Sequence, residues 1–211
     1  MTPLVSPELD AYILGLLPAR LPVIAEMEAQ ARLRDIPIVG PAVATLLSLL
    51  ARSIGARRVF ELGSAIGYST AFFAEAVGPE GRVFYTDGSE KNAREARGYL
   101  EDLGLAGRVE IRVGEAVSIL KASPGDFDVI FVDIDKDGYP EALEAAAPRV
   151  RPGGYLLADN VLWSGRVVDP GSRDAATEGI REFNRRLFAR RDFESVLVPL
   201  RDGVAVARKR E

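Results

Sequence analysis

The apolar strand-like segments of this chain are unevenly spaced, and that spacing restricts the fold more than any single motif. Arg58–Leu62, Val83–Thr86, Val109–Val113, Phe127–Val132 and Tyr155–Ala158 are each separated from the next by a segment with helical patterning, over 67–77, 89–103, 115–121 and 139–150. Strands alternating with helices build βαβ units and a parallel sheet. A helix over 175–190 then leads into Phe193–Val198, and only Pro199–Gly203 lies before Val204–Ala207. A parallel return needs about a dozen residues, so these last two strands pair as an antiparallel hairpin. Three helices precede the first strand. Ser6 caps the first, with Pro7 at its first position. The others run over 21–34 and 40–53. The chain thus reads as one domain, with an N-terminal helical appendage (1–54) on an α/β core (55–211).

Two absences narrow the chemistry. Among 211 residues there is no cysteine and no histidine. Disulfides, thiolate zinc sites, Ser-His-Asp triads and the HExxH motif are excluded. Acid–base work falls to Asp, Glu, Lys or Tyr. The formal net charge of −4 lacks the broad basic footprint of a duplex DNA binder. The first residues carry no leader signal, and the longest apolar run, 42–51, is too short to span a bilayer. The expectation is a cytoplasmic protein that uses neither DNA nor membrane.

The first strand runs into Glu61-Leu62-Gly63-Ser64-Ala65-Ile66-Gly67. Ligands of open α/β sheets bind beyond the carboxyl ends of the strands, and glycines there admit close approach. Asp87 ends the second strand, where an acidic residue can accept ribose hydroxyls. Gly114-Glu115-Ala116 follows the third and is placed to meet an adenine. Neither the G-x-G-x-x-G fingerprint nor a P-loop is present. A nucleoside cofactor without a pyrophosphate fits better, with S-adenosylmethionine the main candidate and Glu61 at its amino acid end.

The fourth strand ends in Asp133-Ile134-Asp135-Lys136-Asp137 and the fifth in Asp159-Asn160. If these strands are neighbours, Asp133, Asp159 and Asn160 converge at the nucleoside edge. Oxygen donors without His or Cys suit Mg²⁺, with Ca²⁺ or Mn²⁺ as alternatives. Lysine can serve as a base where burial and a nearby cation disfavour its ammonium, which singles out Lys136. The plain reading of Lys136 is a surface residue paired with Asp135 or Asp137.

Glu61-Leu62-Gly63, Asp87, Asp133-x-Asp135-Lys136 and Asp159-Asn160-Val161-Leu162-Trp163-Ser164-Gly165 together resemble the cation-dependent class I O-methyltransferases of the catechol and caffeoyl-CoA type. The resemblance runs from about Pro37 to Arg208. It implies a Rossmann-like class I methyltransferase fold, with a seven-stranded, mostly parallel sheet ending in the hairpin. It implies S-adenosylmethionine held by Val39, Glu61, Gly63, Ser69, Asp87, Glu115, Ala116 and Asp133. It implies a divalent cation on Asp133, Asp159 and Asn160, Lys136 as general base, and Trp163 and Arg166 beside the acceptor. In such enzymes two adjacent hydroxyls of an aromatic acceptor meet the metal, and the ionised oxygen attacks the sulfonium methyl. A homodimer through the first helices is also implied. Ala42, Ala44 and Thr45 depart from the Glu and Gly-Gln of many bacterial relatives, and Glu115 stands where Asp is common. Two alternatives stay open. One is methylation of a hydroxylated uridine in transfer RNA, with Arg181, Arg185 and Arg186 as a local phosphate patch. The other is an NAD-dependent oxidoreductase or a non-catalytic nucleotide-binding module. Arg208-Lys209-Arg210 reads as a solvated tail.

Overall fold

The computed structural model describes residues 6–211. The leader-free reading of residues 1–5 lies outside the described residues. Three helices, α1 (Pro7–Leu16), α2 (Pro22–Arg34) and α3 (Gly40–Ser53), come first. The alternating part follows as β1 (Arg58–Leu62), α4 (Tyr68–Ala76), β2 (Arg82–Asp87), α5 (Glu90–Asp102), β3 (Val109–Val113), α6 (Ala116–Ala122), β4 (Phe127–Val132), α7 (Tyr139–Ala146) and β5 (Val150–Ala158). It closes with α8 (Ala175–Ala189), β6 (Phe193–Val198) and β7 (Val204–Lys209).

The helix starts are set by local chemistry. Ser6, Ser89 and Asp174 accept backbone N–H groups at the starts of α1, α5 and α8, satisfying donors that have no partner inside the helix. Proline opens α1, α2 and α3, where its missing N–H costs nothing.

The seven strands form one sheet in the order β3-β2-β1-β4-β5-β7-β6. β1 to β5 are parallel, and β7 inserts antiparallel between β5 and β6. Helices α6, α7 and α8 cover one face, against Phe60, Ile130 and Leu156. Helices α2, α3 and α4 cover the other, where Met27, Val43 and Phe73 meet Val59, Phe131 and Leu157. The first helices therefore share the sheet's own core rather than standing apart from it. Helix α1 differs, since none of its residues is buried.

Two boundaries differ from the sequence reading. β5 begins at Val150, not Tyr155, because a register shift lets Phe127 pair with Val150 before Val129 pairs with Tyr155. Pro152-Gly153-Gly154, which looks like a strand breaker, lies inside that irregular stretch. The basic run 208–210 is not a solvated tail. Arg208 pairs with both Tyr155 and Glu194, and Lys209 Nζ donates to the carbonyls of Ala147, Pro148 and Val150. The Ala147 and Pro148 carbonyls lie in the 3₁₀ turn after α7 and that of Val150 opens β5, so the lysine's three donors tie the two together. No helix among the described residues is long and apolar enough to cross a membrane.

Candidate active site

Parallel strands bring their carboxyl ends to one edge, and the sequence puts an acidic residue at or just past most of them. Leu62 is in register with Val132, and Val132 with Ala158. Asp133 N–H donates to the Leu62 carbonyl (2.8 Å) and Asp159 N–H to the Val132 carbonyl (3.2 Å). The two aspartates thus extend adjacent strands by one residue, side by side. Asn160 follows with φ +56, a left-handed conformation that Asn tolerates better than most residues.

Glu61 is fully buried beneath this edge. Its Oε2 accepts from Thr70 (2.5 Å) and Ser64 (3.3 Å), while Oε1 is buried with no partner among the described residues. Burial pushes its carboxyl up to about 7, against the opposing pull of the Thr70, Ser69 and Ser64 hydrogen bonds. A buried acid with an unsatisfied oxygen is suited to a cationic group. The turn above it is tight. Gly63 has φ +84, and a Cβ there would overlap the Asp133 carbonyl oxygen. Ser69 is buried at the start of α4, and Val39 is buried at the start of α3.

Asp87 closes β2 and accepts from Ala65 N–H (3.0 Å), Ser89 N–H (2.8 Å) and Asn92 Nδ2 (3.0 Å). Each carboxylate oxygen has about two lone pairs, so this network orients Asp87 and leaves it able to accept more. Glu115 caps α6, accepting from Val117 and Ser118 N–H, which holds its carboxyl below the usual range. The cap fixes the turn at Ala116.

The opposite end of the edge is polar and charged. Lys136 Nζ donates to Asp133 Oδ1 (2.9 Å) and the Ile134 carbonyl (3.0 Å), so its carboxylate partner is Asp133 and not Asp135 or Asp137. The nitrogen sits 5.1 Å from the Tyr139 ring centroid and 5.9 Å from that of Trp163. Asp159 is raised by burial first and by the Asp133 charge second, and its Oδ1 has no partner among the described residues. Two neighbouring carboxylates, an orphaned buried oxygen and an adjacent amide make a donor set for a hard divalent cation. Among the described residues no cluster of three or more Asp, Glu, His or Cys that could hold a metal ion forms.

A cavity of about 950 Å³ opens beside Asp159 and Asn160, walled by α1, α2, residues 35–41 and the β6–β7 turn. Trp163 and Arg166 do not line it. Arg166 pairs with Asp174 (2.6 Å), and its guanidinium lies 5.9 Å from the Trp163 ring. Trp163 instead borders Lys136. The cavity contains residues that the sequence reading did not single out: Arg20, Glu28, Arg201 and Asp202. Glu28 is buried, accepting from Tyr68 Oη (2.8 Å) and Arg20 Nε. Arg201 and Asp202 belong to the five-residue link between β6 and β7. Because β7 runs antiparallel to β5, with Ala205 opposite Ala158, its first residues return to the ligand edge. That topology was the available signal. The patch read for RNA phosphates is internally paired: Arg181 with Glu178, Arg185 with Glu182, and Arg186 with Glu182 and Glu144.

A family model described as O-methyltransferase matches residues 20–210. The chain belongs to the O-methyltransferase family. This methyltransferase is 35% identical to the catechol O-methyltransferase of Niastella koreensis over 178 residues, covering 80% of each chain. It is 34% identical to the catechol O-methyltransferase of Mycobacterium tuberculosis over 165 residues, covering 77% of this chain and 75% of that protein. Its fold matches the Bacillus cereus O-methyltransferase solved in complex with SAH, with a TM-score of 0.88 at 31% identity over 96% of this chain and 97% of that one. It also matches TomG of Streptomyces achromogenes, solved with SAM, with a TM-score of 0.87 at 32% identity, covering 97% and 96%.

Proposed function

We propose that this methyltransferase moves a methyl group from S-adenosylmethionine to one hydroxyl of a vicinal dihydroxy aromatic small molecule, with a divalent cation, Mg²⁺ by donor type, held by Asp133, Asp159 and Asn160. The observation that carries this reading is the juxtaposition of those three oxygen donors with Lys136 at the edge that also holds Glu61 and Asp87. Glu61, with its free buried oxygen, binds the ammonium of the methyl donor's amino acid end, and Asp87 accepts from its ribose hydroxyls. Gly63, Ser69, Val39 and the Glu115–Ala116 turn shape the rest of that pocket, and the Asp133 backbone closes it beside Gly63. A cation bound at the aspartate pair would supply positive charge that favours an ionised acceptor oxygen. Lys136 accepts the proton of the reacting hydroxyl. The acceptor oxygen then forms a bond to the methyl carbon as the sulfur–carbon bond breaks. The residues contribute mainly by holding the two partners in line. Trp163 borders the base, with Arg166 stacked behind it.

The exposed Leu9, Tyr12 and Leu16 on one side of α1 support a homodimer. The internal pairing of Arg181, Arg185 and Arg186 gives the transfer-RNA reading no support.

The test is transfer from labelled S-adenosylmethionine to a catechol panel, with Mg²⁺ and again with EDTA. Turnover that disappears with EDTA is the expected result. Turnover that persists would remove the metal assignment, and no turnover on any catechol would remove the acceptor class.

A further inference from the structure

Arg201 is exposed to solvent, yet both its backbone and its guanidinium are held in place at the cavity wall. It sits in the β6–β7 turn with φ +52, a conformation that costs a residue with a Cβ. Its Nη1 donates to the Ile38 carbonyl at 2.9 Å, joining segments 163 residues apart in sequence. The space for its guanidinium is provided by Gly40, where a Cβ would lie 2.6 Å from that same nitrogen. An arginine has five N–H donors in a rigid planar fork. One hydrogen bond fixes this fork, and no Asp or Glu forms a salt bridge with it among the described residues. It lines the same cavity as Asp159 and Asn160.

The other charges of the cavity decide what Arg201 can recognise. Glu28 is closed by Tyr68 and Arg20. Asp202 receives Ser164 N–H, and Asp159 belongs to the cation set. Asp10, Arg32 and Asp35 also line it, from α1, α2 and the residue that follows α2. The lining groups left with hydrogen-bond donors to spare are positive, Arg201 among them. We infer that the acceptor carries a carboxylate beyond its dihydroxy ring and that Arg201 binds it, which makes Arg201 the residue that selects acidic over neutral or amine-bearing catechols. This rests on the reading that the cavity receives the acceptor. A planar guanidinium fixed in advance matches a carboxylate through two parallel hydrogen bonds.

The experiment compares 3,4-dihydroxybenzoate, 3,4-dihydroxybenzyl alcohol and 3,4-dihydroxybenzylamine as acceptors for the full chain with S-adenosylmethionine and Mg²⁺. The parent should favour the benzoate over the alcohol by about tenfold or more in kcat/KM, carried by KM. In Arg201→Gln that ratio should fall toward one, and Arg201→Lys should keep part of it. Equal use of benzoate and alcohol by the parent, preference for the amine, or a parallel loss on both acceptors in Arg201→Gln would overturn the inference. If none of the three is methylated, the acceptor reading of the site fails, and calorimetric binding to the SAH-loaded protein still decides for Arg201. Benzoate bound by the parent and lost in Arg201→Gln supports it, and absence of benzoate binding by the parent overturns it.

Discussion

A single atom, Lys136 Nζ, has the most exacting position at the residue scale. It touches Asp133, and the Tyr139 and Trp163 rings flank it. In Lys136→Met, kcat should fall by about 10²–10⁴-fold, while SAH affinity measured by calorimetry stays at the parent value. A loss of SAH binding to match the loss in rate would make it a structural lysine instead. Glu61 gives a second residue-scale expectation. Its carboxyl holds a proton up to about 7 in the folded chain, against 4.5 when unperturbed. Between those values the folded state binds more protons than the unfolded one, so Glu61's contribution to stability is full below pH 4.5 and lost as pH rises through about 7. Melting curves of the ligand-free protein should show Glu61→Gln gaining on the parent across that window, and parallel profiles would refute the assignment. SAH, whose ammonium favours the ionised acid, should bind the parent more tightly toward the upper end of the window. The two aspartates, Glu61 and Lys136 were legible in the sequence because each lies at or just past a strand end. Arg201, Glu28 and Tyr68 were not, because their roles come from contacts between distant segments that no local pattern encodes.

At the scale of elements, the placement of Lys136 is inherited from a helix. The 3₁₀ turn Lys136–Gly138 rests on α8, where a Cβ at Gly179 would overlap the Lys136 carbonyl oxygen. Gly179→Ala must push that turn away. It should cost about 1–3 kcal/mol of stability and lower kcat by about ten- to a hundredfold through misplacement of the base. A lower melting temperature with unaltered kcat would separate α8 from the chemistry. Element order and strand pairing could be read from spacing, since helix-length gaps force parallel neighbours and a five-residue link forbids one. Two ends depart from the local sequence pattern for related reasons. Pro152-Gly153-Gly154 breaks the local strand pattern while the ladder with β4 shifts register past it. The charges of Arg208 and Lys209 suggested solvent, yet both residues pair in β7, and Lys209 is held by three carbonyls.

Considered as a whole, the molecule buries the inner faces of α2 and α3 against its sheet and leaves α1 uncovered. Leu9, Tyr12 and Leu16 are 51%, 64% and 68% exposed and share one side of that helix. Such a stripe favours association. Light scattering should give twice 22.8 kDa for the parent and the single mass for a Tyr12→Glu, Leu16→Glu double variant. A monomeric parent would assign the stripe another role.

The insertion of β7 between β5 and β6 has a consequence for biosynthesis. During translation, β5 can pair with β4 as soon as residue 158 has emerged, yet its second edge has no partner until residues 204–209 follow. For that interval Tyr155–Ala158 presents open backbone donors and acceptors flanked by apolar side chains, the kind of edge that recruits strands from other chains. The nascent protein thus passes through a stage in which β1 to β5 can be paired while the cavity beside Asp159 lacks its β6–β7 wall, and that edge stays open until the hairpin emerges.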